Sequence, residues 1–305
     1  MQDFRDDISS DDQSLFARRD LSATVCAPAQ GDSVLVKSPS PASAARFFIE
    51  NVAPAVDDGR FAVKRIVGEA IEVSADILRD GHDVLAAAVL WSRDGEAWKC
   101  EPMRHVDNDR WAGAFTPTDI GRYRYAIAAW TDTFATWRHG FELKRDAGQD
   151  VDIEAQEGRA LLTEAKSGSP AVRRIVRDAA AAFDEGGGHA VLTSDQLAAA
   201  MSDAEPRPDR VRSRVFPLTV ERERARAGAW YEIFPRSAAS ERGRHGTFRD
   251  VMAIVPSIAA HGYDVLYFTP IHPIGEKNRK GRNNSLTAAP DDPGSPYAIG
   301  GAAGG

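Results

Sequence analysis

AWYEIFP at residues 229–235 and DVLYFTP at residues 264–270 are short apolar runs rich in aromatic and branched side chains, the composition of buried strands. Between them Thr247, with Asp250 three residues on, has the form of a helix-opening capping box. Phe248, Met252, Val255, Ile258 and Ala259 then recur at helical spacing, and Gly262 stands where a helix-ending glycine belongs. Pro256 predicts a kink or short break in that helix. Strand, crossover helix and strand imply one right-handed βαβ unit in a parallel sheet. Loops leaving the carboxyl ends of such strands are where α/β folds place their chemistry.

The loop after the second run, IHPIGEKNRKGRNN at residues 271–284, holds four cations and two glycines in 14 residues. Lysine offers a point charge and arginine a fork, so such a loop suits an anion or a set of hydroxyls. It is not a P-loop, because no Gly-Lys-Ser/Thr and no following helix accompany it. A solvated basic loop is the competing reading, and the pattern alone does not separate the two. Asp291-Asp292 precede Pro293-Gly294-Ser295-Pro296-Tyr297. Adjacent carboxylates suggest a metal or an acid/base pair, but neighbours in a loop usually point apart, which favours a turn. His245 and His272 lie near strand ends without a Ser or Cys at a motif spacing, so a nucleophilic triad has no support. A pocket role and a structural role stay open for both.

Upstream, residues 1–44 are polar and interrupted by Pro28, Pro39 and Pro41, which predicts a disordered leader. From Arg46 the chain reads as short strands: Arg46–Asn51, Lys64–Val67, Ile71–Ile77, Val84–Trp91, Trp98–Met103, Trp111–Phe115, Gly121–Ala129 and Thr136–Leu143. Turn residues such as Asp80-Gly81 and Asp94-Gly95 separate them. Seven or eight such strands predict an antiparallel, immunoglobulin-like β-sandwich over 45–148. Five of the six tryptophans fall between Trp91 and Trp137. They suit either a sugar-stacking face or an aromatic core, and residue type favours the core. Residues 149–227 read as a helical segment and linker. Its helical run extends from Gln149 to about Ala182, Ser194 caps Asp195–Met201, and Val215–Val220 leads on to the unit at 228–305.

The net charge of −7 gives no electrostatic reason to expect nucleic-acid or anionic-membrane binding. No run approaches the roughly 20 apolar residues of a membrane span. Cys26 and Cys100 form no metal-type spacing and read as thiols in a reducing compartment. With no apolar signal core at the N-terminus, the expectation is a cytoplasmic protein.

WYEIFPRS, HGTFRD, GYDVLYFTPIHPIG, NRKGRNN and DDPGSPYAIG, in that order, resemble the α-amylase superfamily. Within it they are most similar to the α-1,4-glucan:maltose-1-phosphate maltosyltransferases. VKRIVGEAIEVSADI, NDRWAGAF and FATWRHG resemble that family's N-terminal domain, so the likeness covers roughly residues 46–305. The resemblance implies the start of a (β/α)8 TIM barrel at 228–305. It also implies a retaining transferase that moves a maltosyl unit from α-maltose 1-phosphate to an α-1,4-glucan and releases phosphate. The full-length enzyme would be a homodimer without redox or nucleotide cofactor or metal. Lys280 matches the family's donor-binding lysine, and Tyr297 stands where amylase-type enzymes set a tyrosine beside the reacting sugar. Asn278, Arg282 and Asn283 belong to the same matched stretch.

A barrel takes about 250 residues, and this chain reaches Gly305 before a third barrel strand. The expectation is therefore an N-terminal portion, inactive alone, with the catalytic carboxylates on later strands and no acid here assigned to them. The alternatives are a glucan hydrolase or branching-type enzyme of the superfamily, or a non-catalytic glucan-binding or dimerisation module. The basic loop argues against the first, since a neutral glucan needs no phosphate site.

Overall fold

The computed structural model of the chain describes residues 47–302. The expected leader at 1–44 lies outside them. The chain divides into two compact units, one up to Glu221 and one from Arg222.

In the first unit nine strands form one curled, mixed sheet. They are β1 (Phe47–Ala53), β2 (Val63–Ile66), β3 (Ile71–Arg79), β4 (Leu85–Arg93), β5 (Lys99–Asp107), β6 (Arg110–Phe115), β7 (Gly121–Thr131), β8 (Val211–Arg212) and β9 (Phe216–Glu221). The order is β1-β3-β6-β5-β4-β7-β9-β2, with β8 on β7. All pairs are antiparallel except β2–β9, which is parallel and departs from the expected antiparallel plan. β5 bonds to β6 through Arg104 and His105 and to β4 through Lys99–Met103, so it carries the sheet round a corner. The two limbs face each other over one core, giving a sandwich-like domain. Ile71, Val73, Ala75 and Ile77 alternate inward from β3 and meet Val89, Tyr125 and Ile127 from the opposite limb. Trp91, Trp111 and Trp130 are buried in this domain, and Trp91 stacks on Phe115 at 4.8 Å. The aromatic-core reading of these tryptophans holds.

Helices fill the stretch between β7 and β8: α1 (Thr133–Asp146), α2 (Asp152–Glu164), α3 (Pro170–Asp184) and α4 (Asp195–Ala204). The expected strand Thr136–Leu143 is thus the body of α1. Asp132 caps that helix by accepting from Ala135 N, and Phe134, Trp137 and Phe141 fall on one helical face rather than alternating. The single helical run expected from Gln149 to Ala182 is two helices. Ser169 caps α3 and Pro170 occupies its first turn, which is where proline ends one helix and opens another. Ser194 caps α4 as expected. Phe134, Phe141, Leu162, Val176, Leu197 and Met201 build a second core among these helices. Phe216–Glu221, read as a lead-in to the next unit, instead returns to the sheet against β7, from Tyr125↔Phe216 to Gly121↔Val220. The helices are therefore an insertion into the sandwich-like domain.

Cys100 on β5 is disulfide-bonded, a correction to its reading as a thiol. Separation along the chain carries no information on proximity in space. Cys26 lies outside the described residues. No helix among the described residues is long and apolar enough to cross a membrane.

The second unit contains β10 (Trp230–Ile233), α5 (Phe248–Ala260) and β11 (Val265–Phe268). β10 and β11 pair in parallel, from Trp230↔Val265 to Ile233↔Phe268. Gly262 has φ +83° just beyond α5, as a helix-ending glycine should. α5 runs through Pro256 without the expected break. Its buried stripe also differs from the expected one. Val251 is buried and Ile254 and Ile258 half-buried, whereas Met252 is 70% and Val255 40% exposed.

Candidate functional site

The carboxyl ends of β10 and β11 open into a cavity of about 330 Å³. Phe234 and Arg236 reach it from β10, Thr269 and His272 from β11, and His245 from the loop that leads to α5. The two histidines, far apart in sequence, are thus brought to one cavity. The loop holding His245 is tightly built. Gly246 N donates to Arg236 O at 2.8 Å, and a Cβ on Gly246 would lie 2.7 Å from Ala239 N and closer still to Pro235 O. Thr247 and Asp250 form the expected capping box, Asp250 accepting from Thr247 N at 2.7 Å. Arg244 donates both terminal nitrogens to the same carboxylate, at 3.1 and 2.5 Å. That guanidinium first, and then Thr247, hold Asp250 well below the usual carboxylate range.

Thr269 gives the cavity a polar anchor that the sequence reading missed. It is 1% exposed, and its hydroxyl has no hydrogen-bond partner. A buried hydroxyl left open on a cavity wall suits a ligand hydroxyl. The available signals were its place at the carboxyl end of a strand and within the matched stretch GYDVLYFTPIHPIG.

The basic loop divides its cations between two tasks. Arg279 stitches the loop together, donating to Gly275 O at 3.1 Å and to Ile274 O and Asp292 O at 3.4 Å. Arg282 donates to Asp292 at 3.1 Å and pairs with Asp291 at 3.6 Å. Asp292 is 6% exposed and also accepts from Ala289 N at 2.8 Å. That backbone donor first, and then Arg282, hold its carboxyl below the ordinary range. The acid pair is therefore a structural hub, as the turn reading had it. Among the described residues no cluster of His, Cys, Asp and Glu is arranged to hold a metal. Asn278 and Asn283 have φ of 57° and 55°, the left-handed region asparagine tolerates, and so serve the turns. Gly281 sits against Ser285, Thr287 and Asp292, where a Cβ would be 3.0 Å from the Asp292 carboxylate.

Lys280 is half-buried and makes no hydrogen bond or ion pair among the described residues. Tyr297 is 60% exposed; its hydroxyl donates to Glu232 Oε1 at 3.3 Å and its ring meets Phe234 edge-on. Desolvation, and then the Glu232 carboxylate, push this phenol above its ordinary range. Neither Lys280 nor Tyr297 lines the 330 Å³ cavity, although Pro296 does. Trp230, Glu232 and Tyr267 share the exposed face of the two-stranded sheet, with Trp230 and Tyr267 6.3 Å apart.

Residues 45–222 match the family model described as α-1,4-glucan:maltose-1-phosphate maltosyltransferase, domain N/S. Curated relatives carrying the name α-1,4-glucan:maltose-1-phosphate maltosyltransferase align across both units. The protein from Rhodospirillum rubrum is 46% identical over 283 residues, covering 86% of this chain and 41% of the relative. That from Burkholderia pseudomallei is 46% identical over 269 residues, covering 85% of this chain and 24% of the relative. One named maltosyltransferase 2 from Streptomyces coelicolor is 41% identical over 276 residues, covering 85% and 40%. The chain therefore spans about two-fifths or less of the length of these relatives. By the family model and these relatives together, the chain belongs to the α-1,4-glucan:maltose-1-phosphate maltosyltransferase family.

Proposed function

We propose that the chain is the N-terminal portion of an enzyme that moves a maltosyl unit from α-maltose 1-phosphate to the non-reducing end of an α-1,4-glucan, with retention and release of phosphate. The observation that carries this reading is the identity to maltosyltransferases, which continues through the family's N-terminal domain into the second unit. The parallel β10–β11 pair with α5 between them is what the opening of a (β/α)8 barrel requires. The facing limbs of the first sheet suit an immunoglobulin-like sandwich. We divide the chain into a leader at 1–44, a sandwich-like domain from 45 that carries the helices of 133–204 as an insertion and takes back Val211–Glu221, and the first barrel part from 228.

Retention at an anomeric carbon needs a nucleophile and an acid/base carboxyl about 5–5.5 Å apart; no acid described here is given either role. The contribution of this chain is donor recognition. Lys280 presents an ammonium that no acid among the described residues neutralises, and it suits the phosphate. Tyr297 offers an exposed ring and a protonated hydroxyl to the sugar. The chemistry calls for no redox or nucleotide cofactor. We take the full-length enzyme to be a cytoplasmic homodimer that binds neither nucleic acid nor membranes, as the negative charge of this 305-residue chain suits. The disulfide at Cys100 stands against a reducing compartment and is tested below.

Calorimetric titration of the 305-residue chain with α-maltose 1-phosphate and with maltose tests the donor assignment. The phosphorylated sugar is expected to bind more tightly, and Lys280→Ala to weaken it by about tenfold or more while leaving maltose unchanged. Equal affinity for the two sugars, unaltered by Lys280→Ala, would remove the phosphate site and favour an enzyme acting on neutral glucan.

A further inference from the structure

Tyr297 lies on a turn-rich loop whose backbone is fastened from two directions. From the loop after β11, Gly275 N donates to Ala298 O at 2.7 Å, and Ile274 forms an antiparallel bridge with Ile299. Gly300 N donates back to Pro273 O at 3.2 Å. From the end of β10, Arg236 donates to Gly294 O at 2.9 Å. Gly294 permits that close passage. Its φ is +68°, and a Cβ there would lie 2.9 Å from the Ile274 side chain and 3.1 Å from that of Arg279. The chain is thus held on both sides of Tyr297.

A fixed backbone still leaves an exposed tyrosine free to change rotamer, and ordering it on binding costs entropy. Two side chains from β10 and its end remove that freedom. Strand alternation sets Glu232 and Phe234 on one face. Glu232 Oε1 accepts from the Tyr297 hydroxyl at 3.3 Å, and the Phe234 ring meets that of Tyr297 edge-on, 6.5 Å away at 84°. Glu232 stands on the rigid part of the unit, opposite Tyr267 in the parallel ladder. An ionised carboxylate only accepts, so the single proton of the phenol is committed to Glu232. What remains for a ligand is the ring face and an oxygen that accepts, polarised by the bond it donates.

We propose that Glu232 is the positioning residue of Tyr297. It holds the ring as a wall for the donor sugar and turns the phenol oxygen into an acceptor for a sugar hydroxyl. This role rests on the assignment of Tyr297 to the sugar made above. Glu232 acts through the tyrosine and takes no part in proton transfer to the reacting atoms.

The test uses the full 305-residue chain and two readouts. One is calorimetric titration with maltose and with α-maltose 1-phosphate. The other is the Tyr297 ring resonance of the sugar-free chain, assigned by its loss in Tyr297→Phe. Glu232→Ala is expected to shift that resonance and to weaken both sugars by about fivefold. Glu232→Met, of similar length without the carboxylate, takes its place should alanine fail to fold. Glu232→Gln keeps an oxygen acceptor at the same reach and is expected to restore both readouts to near wild type. Tyr297→Phe should weaken both sugars at least as much, and Glu232→Ala added to it should cost nothing further. A resonance unmoved by Glu232→Ala overturns the positioning role alone. So does an affinity that falls in Tyr297→Phe but not in Glu232→Ala, or one that Glu232→Ala still lowers in the Tyr297→Phe background. A resonance that moves while no variant alters the affinity for either sugar refutes the assignment of Tyr297 to the sugar, and the role of Glu232 falls with it.

Discussion

Gly158 and Gly140 make a matched pair in which the same substitution should change stability in opposite directions. Both lie inside helices, where replacing glycine by alanine ordinarily gains about 1 kcal/mol. Gly140 of α1 has nothing within 4 Å of an added Cβ, so Gly140→Ala should realise that gain. At Gly158 of α2 the Cβ would fall within 2.5 Å of Trp137 Cε2 and Cη2, inside the indole. The ring cannot swing aside freely, because its Nε1 donates to Glu154 O at 2.7 Å. Overpacking costs about 1–3 kcal/mol and loss of that hydrogen bond about 1 kcal/mol. Set against the helical gain, Gly158→Ala should destabilise the chain by about 1–3 kcal/mol. Urea unfolding followed at the helical circular dichroism signal reads both variants. In a Trp137→Ala background, with the ring removed, Gly158→Ala should turn stabilising. Equal gains at both glycines in the wild-type background would refute the α1–α2 packing and the insertion core built on it.

Asp250 is held ionised by Arg244 and Thr247, so its contribution is present above the ordinary carboxylate range and lost as the pH falls through its lowered folded value. Exchange at the start of α5 should therefore rise on acidification, and Asp250→Asn should remove that dependence. Gly246→Ala drives a Cβ into Pro235 O and Ala239 N, and is expected to cost about 2 kcal/mol and to shift the His245 ring resonances. In the denatured chain Cys100 should resist a thiol reagent until reductant is added; labelling without reductant would restore the thiol reading and the reducing compartment with it.

The second unit was the more legible one, because its signals are local. The apolar runs at 229–235 and 264–270, the Thr247/Asp250 cap and Gly262 each specify their own neighbourhood and stand in the structure as strand, cap and helix end, although the strands expected to be buried leave Trp230 62% and Tyr267 43% exposed. The stripe on α5 was misread because Met252 and Val255 are as apolar as Val251 and Ile254. Periodicity cannot say which of two apolar stripes meets a sheet. In Thr136–Leu143 a strand was inferred by extending the upstream rhythm, although Asp132 already announced a helix. The return of Phe216–Glu221 to β7 was invisible for a different reason: its partners lie on the far side of the whole insertion. At the site, the resemblance singled out Lys280 and Tyr297, whereas the cavity is lined by other residues of the same matched stretches. Thr269 is notable only because it is buried with an idle hydroxyl, and sequence does not record that.

The pairing of Tyr125 with Phe216 has a kinetic consequence. Closing so long a loop as an open coil carries an entropic cost that grows with its length, and nothing is gained until the ends meet. Helices α1 to α4 are built from near-neighbour contacts and can form first, drawing Thr131 and Val211 together before β9 docks. The insertion thus acts as the clamp that makes the sheet quick to complete. Weakening it at Phe141 should slow formation of the β7–β9 ladder, although Phe141 belongs to the helical core and not to the core of the sheet.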